Sequence, residues 1–372
     1  MPTVLGIIFS NIQHTNETFE VTKVRTIASM PVGGRYRLID FPLSNMVNAG
    51  VSSVGILTKS NYLSLMDHVG SGKDWDLARK NGGLTIIPPY GQQNKPYTSR
   101  LDALKNIIKF IEDSREEYVI MTDCYNLCNV DYKQVMKFHE EHNADITCLY
   151  HETVKNIPTN MNSNIFTLDD DGRITEMDIV KNFDGTQKVS IDVWYLKKTL
   201  LVSLIRKSID ENYNSFNNDL LKRHLKSLRI YGCGFEGFFA SMLTLKAYYD
   251  ANMALLDRYI RREMFNKPGQ PILTKIRDSA PTYYGENSKV ENSLVADGCI
   301  IEGEVYNSII FHGTKIEKGA IVKNCILMQD TYVARNTILD TVIADKNVRI
   351  VNTEKLEGTK DKPEYIGKNG VL

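Results

Sequence analysis

The sequence predicts a two-part protein, an α/β domain with a mostly parallel sheet followed by a parallel β-helix. Three observations carry this. Over the first two-thirds of the 372 residues, short apolar runs alternate with amphipathic stretches, the pattern of strands and covering helices. A proline- and glycine-bearing stretch then interrupts the pattern. The tail beyond it repeats one short unit several times.

Strands are expected at Val4–Phe9, Val54–Thr58, Glu117–Thr122 and Ile146–His151, each short and bounded by turn or polar residues. A helix is expected over Leu101–Ser114, where Leu101, Leu104, Ile108 and Ile111 recur at helical spacing. Ser99 and Asp102 form a capping pattern in front of it. The stretch Asn266–Lys289, with Pro268, Pro271 and Pro281, reads as an interdomain linker. These boundaries give an α/β domain over 1–260, a linker over 261–289 and a solenoid over 290–372. In the tail, Asn292-Ser-Leu-Val, Asn307-Ser-Ile-Ile, Asn324-Cys-Ile-Leu and Asp340-Thr-Val-Ile repeat, their starts 15, 17 and 16 residues apart. Such a period, rich in paired β-branched residues and punctuated by Gly298, Gly303, Gly313 and Gly319, marks stacked coils that bury their aliphatic rungs only against each other. An antiparallel β-sandwich is the competing reading of this tail.

Composition narrows the function. Lys plus Arg number 45 and Asp plus Glu number 45, so no net field favours nucleic acid or an anionic membrane. No apolar run approaches the ~20 residues of a membrane span, and the N-terminus lacks the basic start of a signal peptide. The six cysteines form no CxxC pair and read as reduced, mostly buried thiols, so a cytoplasmic location is expected.

Three motifs are distinctive: Gly33-Gly-Arg-Tyr-Arg-Leu-Ile-Asp-Phe-Pro-Leu-Ser-Asn45, Gly72-Lys-Asp-Trp-Asp-Leu77, and Gly82-Gly-Leu-Thr-Ile-Ile-Pro-Pro89. Together with the tail they closely resemble the bacterial ADP-glucose pyrophosphorylase family, over nearly the whole chain from Val4 to about Ile350. That resemblance implies a Rossmann-like, GT-A-like nucleotidyltransferase domain followed by a left-handed β-helix. It also implies chemistry that makes ADP-glucose from ATP and glucose 1-phosphate for glycogen synthesis, in a tetramer.

The departures from the family pattern are as informative as the matches. Active members carry a glycine-rich loop after the first strand, because glycine lets backbone N–H groups approach phosphate; here no glycine occurs between Ile7 and Val32. Tyr125 stands where the family's Ser-Gly-Asp-His motif has its aspartate, with Asp123 two residues upstream. Two residues along a strand is about 6.6 Å, which points Asp123 toward the site but sets it back. Lys246 stands where a second metal carboxylate is expected, and an ammonium cannot ligate Mg²⁺. Val180 occupies the position of the sugar-phosphate lysine, with Lys181 next to it. Ser190-Ile-Asp-Val-Trp194 replaces Ser-Met-Gly-Ile-Tyr, and Ser99-Arg-Leu-Asp-Ala103 replaces Gly-Thr-Ala-Asp-Ala.

The resemblance therefore implies no intact catalytic residue. Gly82, Gly83, Asp123, Lys181 and Lys246 remain as remnants of a substrate pocket. Lys23, Arg25 and Arg35 are candidate effector residues, with Val24 at the family's basic position. Each also has a plain structural reading: turn residue, helix-surface lysine or solvated basic strip. The GlgD-type subunit of the family shares these losses and pairs with an active subunit. It implies a heterotetramer, Mg²⁺ on the active partner subunit only, and a possible sugar-phosphate or nucleotide ligand. The alternatives are a weakly active or altered enzyme binding Mg²⁺ through Asp123, Asp102 or other nearby carboxylates, and a stand-alone sugar-phosphate or nucleotide sensor. A β-helix acyltransferase fits poorly, since His312 is isolated on the tail.

Overall fold

The computed structural model describes residues 2–10, 20–89, 97–155, 163–180, 184–276 and 278–372. Strands run at Val4–Phe9, Ser53–Leu57, Gly83–Ile87 and Tyr118–Asp123. Val4–Phe9 lies parallel between Ser53–Leu57 and Tyr118–Asp123, and Gly83–Ile87 adds beyond Ser53–Leu57. Alternation within these strands builds two cores. Ile8, Val54, Ile56 and Ile120 pack on one face, while Leu5, Ile7, Leu57, Val119 and Met121 pack on the other.

The other half of the sheet departs from the expected mostly parallel arrangement. Asp184–Lys197 pairs antiparallel with Tyr118–Asp123 on one side and Ile146–Lys155 on the other, and Ile230–Phe235 runs parallel to Ile146–Lys155. Ser163–Leu168 and Ile174–Val180 form an antiparallel pair. The few residues between them close with Gly172 donating to the Asp169 carbonyl. A turn that short cannot make the crossover that a parallel neighbour needs, so the sheet is mixed.

The expected helix over Leu101–Ser114 is two helices, Arg100–Asn106 and Ile108–Asp113, broken at Ile107. Its start is capped as the sequence indicates. The Ser99 hydroxyl accepts from Asp102 N–H at 3.1 Å, and the Asp102 carboxylate accepts from Thr98 N–H at 2.8 Å.

The tail is a three-sided prism of three five-stranded sheets, and every strand pair in it is parallel. This excludes the antiparallel sandwich. Val290, Val305, Val322, Leu339 and Leu356 stack as one rung, and Ile301, Ile316, Val333 and Ile350 as another. At one corner Asn292, Asn307 and Asn324 adopt left-handed φ values of 42°, 46° and 52°, which asparagine tolerates. In the fourth unit Ile343 pairs with Ile326, so Thr341 (φ 55°), not Asp340, takes the corner. The first solenoid strand, Tyr283–Tyr284, pairs with Ile300–Ile301 and lies within the stretch expected as linker.

The two parts share a core. Ile309, Phe311, Ile326, Met328 and Ile343 of the solenoid belong to the same apolar cluster as Ile8, Met30 and Tyr248. The connecting stretch is bonded to the first domain as it passes. Leu273 N–H donates to Ser44 Oγ at 2.8 Å, and Asn129 Nδ2 donates to the Met264 and Gln270 carbonyls. All six cysteines are free and buried. Among the described residues no helix is long and apolar enough to cross a membrane.

Candidate functional site

Phe9, Leu57 and Asp123 lie in register at the carboxyl edge of the parallel strands, where open α/β sheets bind ligands. Asp123 is 3% exposed there. Two residues on, the chain turns into Asn126–Leu127, which pairs with Ala240–Ser241, and Met242 N–H donates to the Tyr125 carbonyl at 2.9 Å. Tyr125 is thereby fixed with its hydroxyl donating to Asp192 Oδ2.

Arg100, the first residue of its helix, reaches into this edge. Its guanidinium donates to Asp123 Oδ2 and, through Nη2 at 2.8 Å, to Asp192 Oδ2. The Trp194 ring lies under it, 5.1 Å from Cζ, and Phe216 meets that ring edge-on at 5.2 Å. Asp192 holds φ +54°, a left-handed conformation, at a register irregularity in its strand. Residue 192 stands where the family motif has glycine. Here that position holds a left-handed bend with a carboxylate projecting from it.

The electrostatics follow from burial. Burial pushes the Asp123 carboxyl up to about 7; the Arg100 charge opposes this and the Asp192 charge adds to it. Burial pulls Arg100 down, but the two carboxylates raise it further, so it stays cationic. Burial and the Asp192 charge hold the Tyr125 phenol well above its usual value, in its donor form. A buried ion is costly unless paired, and here two carboxylates share one guanidinium, an excess of negative charge that agrees with the raised Asp123 carboxyl.

Arg100 was not among the residues singled out from the sequence, and it is the centre of the site. The signal was present as three separate departures. Arg100, Tyr125 and Asp192 come from three segments, and only the fold brings them into one hydrogen-bonded group. A divalent cation does not fit between Asp123 and Asp192, because one guanidinium already engages both carboxylates. Asp102 is no substitute, since its carboxylate accepts from Thr98 and Asn106 at the helix start.

The other candidates distribute differently. Gly82 and Gly83 do not line a pocket with Asp123. They sit at the opposite end of their strand, four residues or about 13 Å before the Ile87 level. Their role is a tight turn at φ +75° and +83°, where a Cβ on Gly83 would meet the Leu77 carbonyl at 2.5 Å. Lys246 is not in the pocket either. It sits on the helix Leu245–Ala254, bonded to Asp250 at 2.6 Å and facing Asp361 of the solenoid at 3.8 Å. The structure brings Ser241, opposite Asn126, to the Tyr125 side instead. Lys181 and the polar loop over 11–19 lie outside the described residues.

Of the effector candidates, Arg25 is not available to a ligand. It is 3% exposed and bonded to the fully buried Asp345 of the solenoid at 2.6 Å. Lys23 is exposed and lies off the cleft lining. Arg35 lines a cleft of about 300 Å³ between the two parts, with Arg37, His68, Lys275, His312 and Lys346. Four Lys or Arg side chains face a single carboxylate there, Asp297. Burial raises the Asp297 carboxyl, but a Ser279 hydrogen bond and the charges of His312 and Arg35 bring it below its ordinary value. The cleft favours an anion.

A mixed sheet carrying its site at the carboxyl edge, joined to a triangular parallel solenoid, is the architecture of a nucleotidyltransferase-type domain with a hexapeptide-type β-helix. Residues 19–257 match the nucleotidyl transferase family model, and residues 280–364 match the GlmU-like C-terminal hexapeptide model, so the solenoid is left-handed. The chain is 32% identical to the glycogen biosynthesis protein GlgD of Bacillus subtilis (strain 168) over 366 residues, covering 98% of this chain and 96% of that one. It is 35% identical to GlgD of Geobacillus stearothermophilus over 93% of this chain and 91% of that one. To the glucose-1-phosphate adenylyltransferase of Bacillus mycoides (strain KBAB4) it is 29% identical, over 92% and 91%. The chain belongs to the GlgD-type ADP-glucose pyrophosphorylase family.

Proposed function

We propose that this chain is a non-catalytic subunit of a glucose-1-phosphate adenylyltransferase in glycogen biosynthesis, assembling with an active subunit and modulating it. The reaction of that partner joins ATP and glucose 1-phosphate to give ADP-glucose and diphosphate, with Mg²⁺ on the active subunit. The observation that carries the reading is the Arg100 cluster. Nucleotidyl transfer places negative charge on oxygens that a cation and backbone N–H groups must neutralise. At this carboxyl edge both carboxylates are already satisfied by a side chain of the same molecule, and the segment after the first strand has no glycine to approach a triphosphate. Loss of one such stabilising contact typically slows turnover about 10²–10³-fold.

The purified chain should therefore make no appreciable ADP-glucose. Turnover within tenfold of an ordinary enzyme's ~10 s⁻¹, in a preparation free of host enzyme, refutes the reading. Co-expression with the intact subunit should give a mixed tetramer whose kinetics differ from the intact subunit alone. Two independent species with unchanged kinetics on mixing count against it. The cationic cleft at Arg35 supports a second element, an anionic effector held between the two parts. The free, buried cysteines accord with a reducing, cytoplasmic setting.

A further inference from the structure

We propose that Arg100 is a resident counter-ion, a guanidinium that fills the space between Asp123 and Asp192 where a cation could otherwise sit, and that the chain folds around it. This deepens, and rests on, the reading of the chain as non-catalytic.

Three features carry it. The guanidinium touches both carboxylates at once, Nε donating to Asp123 Oδ2 and Nη2 to Asp192 Oδ2, so its planar fork is held in one orientation. Its place is fixed in advance by the Trp194 face, itself braced by Phe216. And the three side chains are useful only together. Without Arg100, two carboxylates that are 2% and 4% exposed would lose the cation they share; without Asp192, the Tyr125 hydroxyl would lose this bond. Unrelated drift in a disused pocket has no reason to place a cation, a second anion and a donor in mutual contact. Asp192 also accepts a left-handed backbone to do it, which costs a non-glycine residue stability.

If Arg100 is the counter-ion, then removing it should create a cation site. Arg100→Ala should lower the melting temperature by several degrees and gain Mn²⁺ binding, read by loss of the free Mn²⁺ EPR signal at about 1 mM, the range of weak oxygen-ligand sites. Added Mn²⁺ should then raise its melting temperature. The unaltered chain should show neither effect. Arg100→Ala combined with Asp192→Asn should recover stability without metal and lose the Mn²⁺ response, because the like-charge pair is gone. Should Arg100→Ala alone fail to fold, the double variant still decides: recovery supports the counter-ion, and a second unfolded protein overturns it. A folded R100A that gains no Mn²⁺ also overturns it, as does Mn²⁺ binding by the unaltered chain that Asp123→Asn abolishes. None of these measurements uses a partner subunit or ADP-glucose formation. Failure of partner modulation leaves this inference standing, and the reverse also holds.

Discussion

Replacing Arg25 by methionine should destabilise the whole chain rather than one ligand contact. Arg25 comes from the segment just before the Gly33–Gly34 turn, and Asp345 from the fourth coil of the solenoid. Their side chains are 3% and 0% exposed, and Nη2 meets Oδ1 at 2.6 Å. The carboxylate has two further donors, Lys346 N–H on Oδ1 at 2.6 Å and the Tyr365 hydroxyl on Oδ2 at 2.7 Å. Breaking a buried pair from one side costs about 3–5 kcal/mol, since the remaining ion is left uncompensated. The two surviving hydrogen bonds place Arg25→Met near the lower end, about 3 kcal/mol. For 372 residues the unfolding entropy is about 0.8 kcal/mol per kelvin, so the melting temperature should fall about 4 °C. The double variant Arg25→Met with Asp345→Asn removes both charges and should cost less than the sum of the single changes by about 2 kcal/mol. Urea denaturation of the four proteins measures this. A single-variant loss under 1 kcal/mol with additive double-variant behaviour refutes the interdomain lock. A loss of effector response in an Arg25 variant would then reflect the fold. Arg35→Ala is the informative substitution, expected to weaken anion binding at unchanged melting temperature.

Thr341→Asn should stabilise the chain by about 1 kcal/mol, because a β-branched residue sits at a left-handed corner that asparagine occupies in three other coils; an unchanged or lower urea midpoint contradicts this. Lys246→Ala should cost less than 1 kcal/mol, since its pair with Asp250 is partly exposed, and should leave anion binding unaltered. His139 is packed edge-on to Tyr118 and Tyr195, and burial lowers it to about 4. An unfolded histidine titrates near 6.5, so the folded state binds fewer protons between pH 6.5 and 4. Stability present above that window is lost as pH falls through it. His139→Gln should flatten the slope of stability against pH there, and an equal slope in both proteins rules the residue out.

Much of the fold was legible because it is local. Val4–Phe9 and the solenoid rungs declare themselves by alternation and period, and Ser99 caps its helix as its spacing with Asp102 indicates. The mixed half of the sheet was less so. Asp169–Gly172 is a hairpin turn, but the alternation of Ile174–Val180 does not say which neighbour it will meet. The site was least legible. Sequence motifs pointed to Gly82–Gly83, which is conspicuous but lies at the wrong end of its strand, and passed over Arg100, which only a contact between residues 100, 123 and 192 reveals. The fourth repeat misled for a related reason. Asp340 resembles the corner asparagines, yet stacking of Ile343 on Ile326 sets the register and hands the corner to Thr341.

The charged features at Arg100 and at Arg35 are physically separable, and that bears on whether a change at one is felt at the other. The Arg100 cluster is built from the end of Tyr118–Asp123, the register irregularity inside Asp184–Lys197 and one helix start. The cleft at Arg35 shares none of these residues, and its far wall belongs to the solenoid, through Phe311, His312, Gln329 and Lys346. The first site sets two carboxylates against one guanidinium and takes none of its residues from the cleft. The shared apolar core beneath the cleft, from Met30 and Tyr248 to Ile309 and Ile343, is untouched by it. Buried charges cost stability when a partner is missing, so Asp192 without Arg100 is disfavoured, whereas Arg100 without Asp192 keeps its bond to Asp123. Arg100 fills the space between the two carboxylates in this chain, and the cleft and the shared core lie clear of it.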